Sequence, residues 1–267
     1  MNDSLEAADL WPFFLTLAGL AAEQTLPRFR TTMRVEDKAT TGAFDPVTEA
    51  DRAAERALRA AIIERYPHHG IIGEEEAPRP AQGPYSWILD PIDGTRSFMS
   101  GMPTWGTLVG LLYEGVPQFG MMSQPLVGDC FIGGAGRAEL IRQEGVRPLS
   151  CRAGVAVSQA TLFSTTPDMF AAGEETSRFE TLCRAVRLVR FGADCYGYAL
   201  LAAGFVDLVV EANLKFFDIA PLIPLIEAAG GVVTDWEGCA VRGGGRVVAA
   251  SDAALHEAAL RLLSGAT

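Results

Sequence analysis

The chain has 267 residues, 49% apolar and 21% charged, with 33 Asp and Glu against 22 Lys and Arg and a formal net charge of −11. That size and apolar content support a large core in one domain or two closely joined ones, and exclude an extended disordered chain. The acidic balance without a basic patch argues against nucleic acid or an anionic membrane as partner, so any phosphate-binding site here needs metal ions to reverse the local sign.

At the N-terminus, Asp3 and Glu6 precede an apolar run that Pro12 and later charges interrupt, which predicts neither a signal peptide nor a membrane span. Residues 4–29 carry Leu10, Phe13, Phe14, Leu17, Leu20 and Ala21 at helical spacing, the pattern of an amphipathic helix, with Pro12 near its start or at a kink. The polar, Gly- and Pro-bearing segment 38–47 reads as a loop, either a connector or a mobile lid. Thr48 with Asp51 three residues on forms a capping pattern for a second helix, whose buried stripe is Ala54, Ala57, Leu58, Ala61 and Ile62. Asp51 then sits in the first turn, where the helix dipole favours a carboxylate. His68 and His69 are adjacent, but neighbouring loop residues rarely point the same way, so neither is expected as a metal ligand. Ile71–Gly73 is a short strand running into Glu74-Glu75-Glu76. Such runs are usually surface charge, yet after a buried strand end Glu74 can point inward.

The stretch Trp87 to Met99, WILDPIDGTRSFM, organises the rest. Its apolar start suits a buried strand end, and Asp90-Pro91-Ile92-Asp93-Gly94-Thr95 then breaks the pattern. Pro91 has fixed φ and no N–H, and Gly94 has free φ, so a tight turn here can aim Asp90 and Asp93 the same way with the Ile92 carbonyl between them. Three such oxygens suit a hard cation such as Mg2+. Thr95-Arg96-Ser97-Phe98 can open a helical turn whose free N–H groups suit a phosphate. The alternative is an ordinary Asp-Pro/Asp-Gly helix cap.

Beyond it, Thr107–Leu112 and Val116–Met122 flank Glu114-Gly115 as an antiparallel hairpin, and Cys130–Ile132 and Ala138–Ile141 are further strands. From about residue 150 strands and helices alternate: strand 186–191, helix 195–203, strand 207–211, helix 218–229, strands 232–235 and 246–250, and a closing helix 253–263. The chain thus reads as one domain over 1–267 with two sub-regions, about 1–150 and 151–267. The five cysteines (130, 151, 183, 195, 239) are scattered, odd in number and free of C-x-x-C, which predicts a reducing cytoplasm. Asp218, placed at a helix start after Phe216-Phe217, is either an N-cap or an inward ligand.

Taken together, Asp45-x-Val-Thr-x-x-Asp51, Gly73-Glu74-Glu75, Asp90-Pro-Ile-Asp-Gly-Thr95 and aromatic-Asp218-x-Ala220 resemble the inositol monophosphatase superfamily of Mg2+-dependent phosphomonoesterases, over nearly the whole chain. Thr95-Arg96-Ser97-Phe98, Gly101–Thr107, Gly192–Tyr198 and Asp207–Glu211 are similar to its histidinol-phosphate phosphatase branch. Phe217 stands where inositol-type members have Trp. The resemblance implies an α/β (α+β layered) αβαβα sandwich with an antiparallel first sheet and a mixed second sheet, and a homodimer. It implies that Glu74, Asp90, the Ile92 carbonyl, Asp93 and Asp218 hold two or three Mg2+ ions, and that Glu74 and Thr95 orient and deprotonate a water, with Asp51 holding Thr95. It also implies that Gly94 and Thr95 bind the phosphate beside Asp93, Arg96 and Asp218, and that Lys38 belongs to a mobile active-site loop.

Asp194 and Glu211 are the carboxylates that would meet the ammonium group of histidinol phosphate, Asp194 alternatively being a helix N-cap. The expected activity is hydrolysis of L-histidinol phosphate to L-histidinol and phosphate, in histidine biosynthesis. Hydrolysis of inositol 1-phosphate or a sugar phosphate is the second reading, and an inactive metal- or phosphate-binding module the third.

Overall fold

The computed structural model describes residues 7–32, 35–37 and 46–265. Lys38 and Asp45 lie outside the described residues. Helix α1 (Ala7–Thr25) keeps Pro12 inside its first turns and ends at Thr25, short of the residue 29 expected from the sequence. The short strands β1 (Val35–Asp37) and β2 (Pro46–Thr48) pair antiparallel and lead into α2 (Glu49–Arg65). Thr48 and Asp51 make the capping box read from the sequence. Then follow β3 (Gly70–Gly73), β4 (Tyr85–Asp93), the short α3 (Thr95–Ser100), β5 (Gly106–Tyr113), β6 (Val116–Gln124), β7 (Asp129–Gly134), β8 (Arg137–Arg142) and β9 (Gly145–Pro148). The remainder comprises β10 (Thr161–Ser164), α4 (Glu174–Ala185), β11 (Leu188–Phe191), α5 (Asp194–Ala202), β12 (Leu208–Leu214), α6 (Phe216–Ile219), α7 (Leu222–Ala228), β13 (Val232–Thr234), β14 (Gly245–Ala250) and α8 (Ala253–Leu263).

Strands β3 to β9 form one sheet in sequence order, antiparallel except at its edge, where β3 runs parallel to β4. The second sheet has the order β11-β10-β12-β14-β13 and is mixed: β10 is parallel to both its neighbours, and β14 is antiparallel to both of its own. Alternating side chains feed separate cores, as a period of two requires. Val109 joins Trp87, Leu89 and Ile132 against Leu10, Phe14 and Leu17 of α1 and Leu58 and Ile62 of α2. Leu108, on the opposite face of β5, joins Met122 and Phe131 in a middle core with Tyr198 and Ala199 of α5 and Leu222, Leu225 and Ile226 of α7. That middle core also takes Val209, Val247 and Ala249, while Leu208, Val210 and Val248 face Phe179 and Leu182 of α4 and Leu255 and Ala259 of α8. The layers are therefore helix, sheet, helix, sheet, helix, with α5 and α7 between the two sheets.

Two local readings need correction. The stretch 87–93 is one strand carried through by a bulge between Asp90 and Asp93, with pairing resumed at Asp93 opposite Gly106, rather than a strand followed by a tight turn. The single helix expected over 218–229 is hydrogen-bonded as α6 and α7. Pro221 and Pro224 have no N–H to donate, so the ladder lapses although the backbone stays close to helical. Strand β10 and helix α4 carry weak signals: β10 is four residues long, and α4 buries only Phe179 and Leu182. Among the described residues no helix is long and apolar enough to cross a membrane.

Candidate active site

The bulge is what brings the acids of β4 together. In a regular strand residues three apart face opposite sides, but the irregularity between Asp90 and Asp93 lets both carboxylates approach one point. Two hydrogen bonds fix the local shape: Ile92 N–H donates to Asp90 Oδ1 at 3.1 Å, and Thr107 Oγ1 donates to the Pro91 carbonyl at 2.8 Å. Asp218 arrives from the far end of the chain, at the third position of α6, where it accepts the Lys215 N–H at 2.7 Å. It is thus not the N-cap itself. Each of Asp90, Asp93 and Asp218 offers an oxygen within 4.8 Å of the others.

Burial and mutual repulsion push all three acids up. Asp90 lies well above the usual carboxylate range through burial and then the charges of Glu74, Asp93 and Asp218. Asp93 is raised by burial and by Asp218 and Asp194, although the Cys195 N–H, 2.7 Å from its Oδ2, opposes this. Asp218 is raised to about 7 by burial, with the Lys215 N–H opposing and Glu74 adding to the rise. Oxygen-only donors, crowded and underneutralised, fit a hard divalent cation rather than zinc. Glu74 is outside this tightest trio, yet it is half-buried and its charge bears on both Asp90 and Asp218.

Gly94 follows at φ 82°, the left-handed region that glycine enters without strain, and caps α3. A Cβ there would lie 2.9 Å from Asp194 Cγ, so α3 starts directly against α5. Thr95 Oγ1 donates to the Ile92 carbonyl at 3.1 Å and stands 3.5 Å from Asp51 Oδ1. Asp51 is fully buried on α2; its Oδ2 accepts the Thr48 N–H at 2.9 Å and the Thr48 hydroxyl at 2.5 Å. Burial raises it to about 6, against those two hydrogen bonds.

A cavity of about 260 Å³ opens beside these groups, lined by Asp93, Gly94, Thr95 and Asp218 together with Arg96, Thr165, Asp194, Tyr198 and Glu211. Glu211 is buried in the middle of β12. Its Oε1 accepts the Thr165 N–H at 2.8 Å and its Oε2 the Tyr198 hydroxyl at 2.9 Å, while burial pushes it up to about 7. Asp194 is the first residue of α5, with Ala193 as the cap, so its N-cap alternative is not what the fold uses. Its Oδ2 accepts from Ser97 Oγ at 2.6 Å and Thr104 Oγ1 at 2.9 Å, and its φ of 47° is left-handed. The exposed Arg96 borders the same space.

Among the described residues, neither His68 nor His69 belongs to the acidic trio. His69 stacks between Tyr66 and Tyr85 at ring distances of 4.8 and 5.1 Å, and its Nδ1 accepts from Trp87 Nε1 at 3.0 Å. His68 Nδ1 lies 2.8 Å from Gln82 Oε1. Sequence reasoning missed Thr165, Ser97 and Thr104 as partners of the two substrate-side acids. Tyr198 lies one helical turn beyond Asp194, and that i, i+4 spacing was the available signal. Thr165 follows β10, which carried none.

Residues 9–267 match the sequence profile described as the inositol monophosphatase family. The chain is 40% identical over 258 residues to the bifunctional phosphatase IMPL2, chloroplastic, of Arabidopsis thaliana, covering 92% of this chain and 72% of that one. It is 34% identical over 254 residues to a histidinol-phosphatase of Mycobacterium tuberculosis, covering 94% and 96% respectively. Among solved structures, an inositol monophosphatase from Zymomonas mobilis superposes with a TM-score of 0.86 at 36% identity, over 97% of this chain and all of that one. With a profile match across almost its full length, these identities and the five-layer fold, the chain belongs to the inositol monophosphatase family.

Proposed function

We propose that this phosphoric monoester hydrolase cleaves L-histidinol phosphate to L-histidinol and phosphate in a Mg2+-dependent reaction. The observation that carries the proposal is the juxtaposition of the acids Asp90, Asp93 and Asp218 with a cavity that two further carboxylates, Asp194 and Glu211, also line. Mg2+ held by Asp90, Asp93, Asp218, Glu74 and the Ile92 carbonyl would draw charge from the phosphoryl oxygens and make water a competent nucleophile at neutral pH. Glu74 and Thr95 orient that water and take its proton, and Asp51 holds Thr95 in place. The Gly94 and Thr95 N–H groups, with Arg96 at the rim, receive the phosphate. No side chain needs to be phosphorylated. Asp194 and Glu211 face the departing alcohol and suit its ammonium group, because a hydrogen bond to a charged group contributes roughly 1.5–3 kcal/mol.

One observation favours a second reading, a neutral polyol phosphate such as inositol 1-phosphate. Oxygens of both recognition acids already accept hydrogen bonds from the protein, leaving fewer lone pairs for an ammonium. Phosphate release with Mg2+ from histidinol phosphate, inositol 1-phosphate, a neutral sugar phosphate and an aryl phosphate separates the two. We expect the highest kcat/KM on histidinol phosphate and no turnover in EDTA, whereas a preference for inositol 1-phosphate establishes the second reading. The proposal carries with it two or three bound ions and a homodimer of single-domain chains in the cytoplasm. Metal analysis and light scattering of the purified protein test the ion count and the dimer.

A further inference from the structure

Glu55 lies on α2 exactly one turn after Asp51, completely buried and outside the cavity. Its carboxylate points at the end of β3. Oε2 accepts the Glu75 N–H at 2.7 Å, and Oε1 accepts the Glu76 N–H at 3.1 Å and Arg59 Nε at 2.7 Å. Arg59 Nη2 closes the arrangement by donating to the Glu76 carbonyl at 2.9 Å. Two successive N–H groups turned toward one anion form a concave anion-binding nest, and here the protein's own carboxylate fills it. The fit requires the glycine before it: a Cβ on Gly73 would stand 2.0 Å from Glu55 Oε1. Between Gly73 and the nest sits Glu74, whose own N–H is tied to the Leu89 carbonyl on β4 at 3.2 Å. Glu74 is therefore clamped on both sides, by β4 before it and by Glu55 after it.

We infer that Glu55 is a positioning residue that fixes Glu74 for metal binding, so that the two acids of α2, one turn apart, set both halves of the water-orienting pair: Asp51 holds Thr95 and Glu55 holds Glu74. This rests on the reading of Glu74 as a metal ligand. An ion pair whose only task was to staple α2 to β3 would not need the two N–H groups that immediately follow Glu74. A charge-assisted hydrogen bond to backbone gives more directional control than packing alone.

The test compares Glu55→Gln, Gly73→Ala and Leu58→Ala with the unmodified enzyme. Each is followed by its melting temperature in EDTA and by the Mg2+ concentration giving half-maximal hydrolysis of an aryl phosphate. Glu55→Gln and Gly73→Ala are expected to raise that concentration about tenfold, in the range that residues supporting metal ligands command, while KM for the ester at saturating Mg2+ moves less than about twofold. Leu58→Ala, a core truncation on the same helix, should lower the melting temperature and leave the Mg2+ requirement alone. A folded Glu55→Gln enzyme with an unchanged Mg2+ requirement overturns the inference, whatever its melting temperature. Amide exchange of the unmodified metal-free protein decides the matter if the variants do not fold: protected Glu75 and Glu76 N–H groups support the clamp, and exchange at free-loop rates refutes it. Glu74→Gln separates the two levels. An unchanged Mg2+ requirement in that variant removes the ligand reading together with this one, whereas a response in Glu74→Gln but none in Glu55→Gln removes only this one.

Discussion

The two sides of the cavity use the same chemical group in opposite ways. On the side built from β4 and α6, Asp90, Asp93 and Asp218 crowd within 4.8 Å of one another and repel. On the side built from β12 and α5, Glu211 and Asp194 each sit between two donors: Thr165 and Tyr198 for the first, Ser97 and Thr104 for the second. Acids short of donors wait for a cation, and acids supplied with donors are already oriented acceptors. The contrast assigns charge neutralisation to the first group and recognition of the leaving alcohol to the second.

The contrast breaks most visibly at Asp93. Asp93→Asn removes one of the three crowded charges, and turnover should fall at least about 10²–10³-fold, the scale set by several kcal/mol of transition-state stabilisation from a bound cation. The metal-free protein should melt no lower than the parent, because repulsion is relieved. Activity within tenfold of the parent at saturating Mg2+ would remove Asp93 from the metal set.

The next effect sharpens the recognition side. Glu211, raised to about 7, must be ionised to attract an ammonium, so KM for histidinol phosphate should fall as pH rises through that value. Glu211→Gln should abolish this dependence and lower kcat/KM on the cationic substrate about 10- to 100-fold. Stability has the opposite sign. Because the folded-state value is raised above the unfolded one, the folded protein keeps its proton longer; the contribution is full below the unfolded value and is lost as pH rises through about 7. Melting curves across that window should show a shallower decline for Glu211→Gln.

Asp194→Asn is a finer probe. Asparagine tolerates a left-handed backbone and keeps an acceptor for Ser97 and Thr104 while losing the charge. We expect a loss of about tenfold on histidinol phosphate and little change on an aryl phosphate. Equal losses on both would make Asp194 a strut between α3 and α5 rather than a recognition group. The smallest effect is at the support of Asp51: Thr48→Ala should cost about 1 kcal/mol as a lost cap, read as a melting point a few degrees lower, with hydrolysis reduced through a looser Thr95.

Much of the crowded side was legible along the chain. The capping box at Thr48–Asp51, the buried run Trp87–Leu89 and the acids of Asp90–Thr95 depend on neighbours in sequence, and their geometry follows from local φ restrictions and periodicity. Even there, the bulge replaced the expected turn, because strand pairing with β5 resumes at Asp93 and holds the segment extended. The recognition side was less legible. The N-cap alternative left open for Asp194 falls away only in the fold, where Ala193 occupies the cap, and α4 and β10 gave almost no pattern.

Residue chemistry alone determined that this protein carries buried-capable acids beside a Pro- and Gly-shaped break, no basic patch, and enough apolar alternation for layered sheets. It also carried the motifs that identify the family. Tertiary packing decided where those acids meet. Asp218 reaches Asp90 and Asp93 because α6 and α7 lie between the two sheets, and Glu211 of β12 comes to line the same cavity as Asp93 and Asp218. Such contacts join residues more than a hundred positions apart, so their distances are set by how the layers stack, which no local propensity encodes.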